Sequence, residues 1–162
     1  MGGGVLPVAL HNGQVLFLLG KESSRRGGWS DFGGSKEGRE TPRQTAIREG
    51  AEELDGFFGT GRSLSERVRD NHLVTVRIRG FATYLFQVPY DPYLPGYFAG
   101  HHALMRKNLA DKVGRRGMFE KSEVAWFTPE QLRSSFHVLR PFYREVAASI
   151  LRSLPRISSR LR

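Results

Sequence analysis

The chain contains no cysteine. That absence excludes a disulfide framework, a thiolate zinc site and a cysteine nucleophile, and it makes a reducing compartment the simpler expectation. No segment approaches the roughly eighteen apolar residues of a membrane-spanning helix. The N-terminus, MGGGVLPVAL, has no basic n-region and only a short apolar run, so it does not read as a signal peptide. A soluble protein of the cytoplasm, with no membrane partner, is expected. Acids are in short supply, with 16 Asp and Glu against 25 Lys and Arg, for a formal net charge of +9. Such an excess favours polyanionic partners such as RNA, highly phosphorylated small molecules or an anionic surface. The arginines are scattered and form no dense block, so solubility alone is the competing account. Internal repeats and a dividing linker are also missing. The 162 residues are therefore expected to form one domain over 1–155, followed by a basic tail over 156–162 that frays.

What is present reads as alternating strands and helices. Val5 to Leu10 and Gln14 to Leu19 are apolar runs separated by His11-Asn12-Gly13, a strong hairpin signal. Lys21 to Gly28 reads as a polar loop carrying Arg25 and Arg26, and Trp29 to Phe32 as a short strand. Thr41-Pro42-Arg43-Gln44 has the form of a helix start, with an N-cap threonine, proline at the first helical position and glutamine three residues after the cap. A short helix is expected over Ser63 to Asp70. Val74, Val76 and Ile78 alternate with Thr75, Arg77 and Arg79, as in a half-buried strand with a basic outer face. Phe81 to Val88 reads as a second strand, Asp91 to Gly96 as a turn and Tyr97 to Lys112 as helical. Gly114 to Gly117 is a basic loop and Glu123 to Phe127 a short strand. Thr128-Pro129-Glu130-Gln131 repeats the capping pattern. A last helix from Arg140 or Pro141 to Leu154 presents Phe142, Val146, Ile150 and Leu154 as its apolar stripe.

The scarce acids concentrate in one place. From Gly34 to Glu53 the chain reads GSKEGRETPRQTAIREGAEE, that is, Gly34-x5-Glu40-x7-Arg48-Glu49-x2-Glu52-Glu53. At about 100° per residue, Ile47, Ala51 and Leu54 share one helix face while Glu49, Glu52 and Glu53 cluster opposite. Like charges three or four positions apart each cost a few tenths of a kcal/mol. Acids on a helix are usually a solvated face, but a basic chain that gathers its acids at this one spacing points to a bound cation. Hard divalent ions take oxygen ligands and keep several waters, so a few carboxylates plus substrate phosphates complete their shell.

The spacing resembles the Nudix box, and the order of hairpin, strand, loop, helix and later strands around it resembles the Nudix hydrolases as well. The fold this implies is α/β, an α/β/α sandwich with a mixed central β-sheet. Two positions depart from the family pattern: Gly50 stands where an aliphatic residue is usual, and Asp55 where a glycine is usual. A helical glycine costs about 0.5–1 kcal/mol relative to alanine, which suggests a close approach of another element at Gly50. The longer string WSDFGGSKEGRETPRQTAIREGAEELDGFFG, with FEKSEVAWF downstream, resembles the Nudix proteins of large DNA viruses and some protist relatives.

The resemblance implies Mg2+- or Mn2+-dependent hydrolysis of a nucleoside diphosphate linked to another group. Glu49, Glu52 and Glu53 match the metal-ligand positions, with Glu49 also able to accept a proton from water. Glu40 matches the outer acid, the carbonyl of Gly33 a backbone ligand, and Arg48 an arginine that orients a glutamate. Taken alone, Arg48 could equally be an ordinary surface arginine. For an extra acid outside the box, used as ligand or general base, Glu120 and Glu123 are the candidates. Glu120 is preferred because it lies six residues before Trp126, a spacing shared with cap-hydrolysing relatives. Phosphate contacts are sought among Arg25, Arg26, Lys36, Arg77, Arg79, Arg115 and Arg116, and base stacking at Trp29, Tyr84 or Phe98, although aromatic residues on strands are mostly core. The five histidines, His11, His72, His101, His102 and His137, lack metal-ligand spacing. The expected activity is removal of a 7-methylguanosine diphosphate cap from RNA, in the host cytoplasm if the protein is viral. The alternatives are hydrolysis of diphosphoinositol polyphosphates or small nucleotides and nucleotide sugars, and a Nudix-fold RNA-binding module without turnover.

Overall fold

The computed structural model describes residues 1–24, 27–113 and 119–162. Strands β1 (Gly2–His11) and β2 (Gln14–Glu22) form the expected hairpin, with His11 opposite Gln14. Asn12 and Gly13 both have positive φ, 50° and 74°, the backbone that a two-residue turn between twisted strands requires. The two strands part beyond Val8 and Phe17, and the next segment pairs with both. Strand β3 (Trp29–Ser30) pairs with β2 and β4 (Phe32–Ser35) with β1. The single short strand expected here is thus two strands, broken at the buried Asp31.

Helix α1 (Pro42–Glu53) follows, with Thr41 and Gln44 closing a reciprocal capping box. Next come α2 (Gly61–Asp70), β5 (His72–Ile78) and β6 (Phe81–Gln87). Helix α3 spans Leu94–Asn108, three residues earlier than expected, because Pro95 sits in its first turn instead of ending a loop. Strand β7 (Lys121–Phe127) pairs antiparallel with β2, and the second capping box starts α4 (Pro129–Ser134). A 3-10 turn over Phe136–Val138 leads to α5 (Tyr143–Arg152) and α6 (Leu154–Ser158).

The seven strands form one mixed sheet. Its main path is β3-β2-β1-β6-β5, parallel only between β1 and β6, with β4 added on β1 and β7 on β2. Alternate side chains feed two cores, as strand geometry dictates. Val5, Leu16, Leu18 and Phe86 pack with α1, α2 and α3 on one face; Leu6, Val8, Phe17 and Leu85 pack with α4, α5 and α6 on the other. The expected α/β/α sandwich around a mixed sheet is what the chain forms.

The C-terminal end departs from expectation. Ile157 is fully buried, Arg160 donates to the carbonyl of Leu73, and the main chain of Arg162 exchanges hydrogen bonds with the Gln87 side chain at 2.7 and 3.1 Å. Residues expected to fray are held because α6 carries an apolar residue back to the second core. The stripe of α5 also differs: Tyr143, Val146, Ala147 and Ile150 are buried, whereas Phe142 is 44% exposed.

Candidate active site

Helix α1 lies across β1 and β4, and its glycine explains how closely. A Cβ at Gly50 would stand 2.5 Å from Val5 Cγ2 and 3.2 Å from Leu64 Cδ2, so the departure from the family pattern marks the expected close approach. The packed face is accordingly Ala46, Gly50, Glu53 and Leu54, with Ile47 and Ala51 half-buried at its margin. Glu53 therefore does not share an open face with Glu49 and Glu52; it is 2% exposed.

The charges interlock around two cations. Arg48 Nε donates to Glu40 Oε1 at 2.9 Å and Nη2 to Glu40 Oε2 at 3.1 Å, a bidentate pair, while Nη2 also reaches the Ser35 carbonyl at 3.1 Å. Its Nη1 lies between Glu49 Oε1 at 2.8 Å and Glu52 Oε2 at 3.4 Å. Glu40 accepts further hydrogen bonds from the Glu37 amide and the Thr45 hydroxyl, both at 3.0 Å. Hydrogen bonding from Arg48, then from the Glu37 amide, holds the Glu40 carboxyl down at about 2. Arg48 is thus fixed by several partners and is not a loose surface side chain.

The second cation is Lys121, fully buried under the end of α1. Its Nζ lies 2.6 Å from Glu22 Oε1, 3.0 Å from Ser30 Oγ and 3.5 Å from Glu53 Oε1. Arg140 Nη1 meets the same Glu22 oxygen at 2.8 Å. Glu53 Oε2 accepts the Gly33 amide at 2.7 Å, yet burial pushes its carboxyl up to about 8. Burial also raises Glu49 and Glu52. Gly34 gives Glu49 its place, since a Cβ there would stand 2.6 Å from Glu49 Cδ.

A cavity of about 520 Å³ collects these groups: Gly33, Gly34, Arg48, Glu49, Glu52, Glu53 and Glu120 line it, with Glu22, Ser35, Glu37 and Arg140. Glu40 stands behind, reached through Arg48. Glu123 does not join them; it pairs with Lys21 at 3.0 Å. Glu22, Lys121 and Arg140 were not singled out from sequence, and no local pattern marks them. Pairing of β2 with β7 and the turn into α5 bring them in.

The proposed substrate contacts divide. Arg25, Arg26, Arg115 and Arg116 lie outside the described residues. Lys36 is exposed beside the cavity wall, its amide donating to the Met1 carbonyl at 3.1 Å. Arg77 is exposed on β5 and lines neither this cavity nor the adjoining one, whereas Arg79 lines the adjoining one and pairs with Glu145 at 2.9 Å. Two of the aromatic choices are corrected, since Tyr84 and Phe98 are buried in the core; Trp29 is half-buried and packs on Phe127 with ring centres 5.2 Å apart.

Among the described residues, no three acids or histidines stand together in a cluster ready to hold a metal ion. The donor set nevertheless suits a hard divalent ion, being all oxygen and acidic, and Arg48 Nη1 already sits as a cation between Glu49 and Glu52.

No family sequence model matches the chain, and no curated protein matches it. Solved structures do. The crystal structure of a C. elegans Ap4A hydrolase binary complex aligns over 98% of both chains at 18% identity, with a TM-score of 0.59. The bifunctional NMN adenylyltransferase/ADP ribose pyrophosphatase of Francisella tularensis, complexed with AMP and Mn ion, aligns over 96% of this chain and 41% of its own at 16% identity and a TM-score of 0.52. RenU, a Nudix hydrolase from M. smegmatis, aligns over 98% and 85% at 18% identity and a TM-score of 0.50. The chain has the fold of the Nudix hydrolases.

Proposed function

We propose that the protein is a divalent-metal pyrophosphohydrolase that cleaves a nucleoside diphosphate from another group. The observation that carries this reading is the meeting of Glu49, Glu52, Glu53 and Glu120 with Gly33 in one cavity on a Nudix fold. Glu49, Glu52, Glu53, the carbonyl of Gly33 and, at the margin, Glu120 would hold Mg2+ or Mn2+, with Glu40 supporting them from behind through Arg48. Such an ion supplies an acidified water and neutralises charge on the leaving phosphate. Glu49 or Glu120 would accept a proton from the attacking water; both line the cavity, and Glu49 is held in place by Arg48. Arg140, which also lines the cavity, can meet a phosphate.

Within this class the net charge of +9 and the virus-like phrase favour capped RNA as substrate. A second reading, a free phosphorylated small molecule, is favoured by two adjoining cavities of only about 520 and 310 Å³. Competition decides between them. If capped RNA is the substrate, cleavage releases 7-methylguanosine diphosphate and weakens steeply with salt, as phosphate contacts release counterions. Turnover of a small diphosphate that is unaffected by excess capped RNA would reject the RNA version.

A further inference from the structure

Beside the acid cavity lies a second one of about 310 Å³, lined by Met1, Gly2, Gly33, Gly34, Ser35, Arg79, Phe81, Arg140 and Phe142. Gly33, Gly34, Ser35 and Arg140 line both cavities, so the two share one wall. Its composition differs from that of the acid site. Phe142 is 44% exposed although it falls on the expected apolar stripe of α5, because that helix buries Tyr143 in its stead. Phe81 meets the Phe142 ring edge to face, with centres 5.7 Å apart at 65°, and Arg140 stands over one face of it, leaving the rest of its exposed surface to the cavity. The Arg140 guanidinium stands 5.0 Å from the Phe142 ring centre while its Nη1 holds Glu22 in the acid cavity. The floor, Gly2 with Gly33 and Gly34, bears no side chains.

We infer that this second cavity binds the planar ring of the substrate, stacked on Phe142, with Arg140 spanning the ring and the adjoining phosphate. The inference rests on reading the acid cavity as the diphosphate-cleaving centre. An exposed aromatic face next to a cation accepts a flat π-system. The volume is at the low end for small-ligand pockets, enough for one ring system. A saturated inositol ring, studded with phosphates, has no flat face to offer Phe142, and among the described residues the cavity's cationic side chains are Arg79 and Arg140. The cavity thereby selects nucleotides over diphosphoinositols.

The test is equilibrium binding by calorimetry, without metal, of AMP, GMP and ribose 5-phosphate to the wild type, Phe142→Ala and Phe142→Trp. Wild type should bind at least one nucleotide about fivefold or more tighter than ribose 5-phosphate, the low end of what one base stack contributes. Phe142→Ala should erase that preference. Phe142→Trp should keep it, and its added tryptophan fluorescence should be quenched by the nucleotide and not by ribose 5-phosphate. Tyr97→Ala, which removes an exposed aromatic on α3, serves as the control and should bind as wild type does. No preference in the wild type, or a preference that survives in Phe142→Ala, overturns the inference. Because binding is read without turnover, failure of the hydrolase reading shows separately, as nucleotide binding that never leads to metal-dependent cleavage.

Discussion

Arg48 illustrates how much one side chain can organise. It spans Glu40, Glu49, Glu52 and the Ser35 carbonyl, and only a planar fork reaches several acceptors in fixed directions. Arg48→Lys should therefore behave like a loss. Activity should fall about ten- to a hundredfold, as when a partner orienting a ligand is removed. Steady-state kinetics on the purified variant checks this, and near-wild-type rates would deny Arg48 its positioning role. The spacing of Glu40, Arg48, Glu49 and Glu52 was readable because all four act within one helix and its approach. Glu22 and Lys121 were not. A lone acid in KESS and a lysine in FEKSEV read as surface residues, since lysine is almost never fully buried unless paired. Their partners come from strands a hundred residues apart.

At the scale of the element, α1 is defined by what it lets through. Its start was legible from the Thr41 and Gln44 capping box and its length from periodicity, both local properties. Its packed face includes the expected Ile47, Ala51 and Leu54 but turns further, to take in Ala46, Gly50 and Glu53, because burial depends on where β1 and α2 lie, and Gly50 admits them. Gly50→Ala sets two effects against each other. Alanine gains about 0.5–1 kcal/mol of helix propensity, but its methyl must enter a site where Val5 Cγ2 stands 2.5 Å away. Overpacking a core costs about 1–3 kcal/mol, so a net loss of stability is expected in urea unfolding. A gain would show that β1 and α1 can separate freely. The hairpin, by contrast, was fixed by Asn12-Gly13 alone, a turn that needs no distant partner.

For the whole molecule, the decisive correction lies at the C-terminus. Charge and proline made residues 156–162 look like a tail, yet Ile157 is buried against the second core and Arg160 and Arg162 tie to β5 and β6. Removing residues 156–162 should cost at least the burial of Ile157, about 1.5–3 kcal/mol. A lowered melting temperature would show it, whereas a dispensable tail would leave the transition unmoved. The same end of the sheet supports α5 and so the Phe142 cavity; loss of nucleotide preference should accompany the loss of stability.

The central claim is that the acids of α1 hold a metal for phosphoanhydride hydrolysis. Glu53→Gln, shown by thermal melting to be folded, tests it, since glutamine is nearly isosteric and its amide oxygen can still accept the Gly33 amide, although its NH2 then faces Lys121. The measurement is release of phosphate-containing product from capped RNA, dinucleoside polyphosphates, nucleotide sugars and diphosphoinositols, with Mg2+ and with Mn2+. Wild type should cleave at least one of these, lose activity on chelation, and exceed Glu53→Gln by at least about a hundredfold, as befits a lost ligand. Absence of turnover on every substrate with either metal, or equal rates in Glu53→Gln, would contradict the account and favour a binding module built on the same fold.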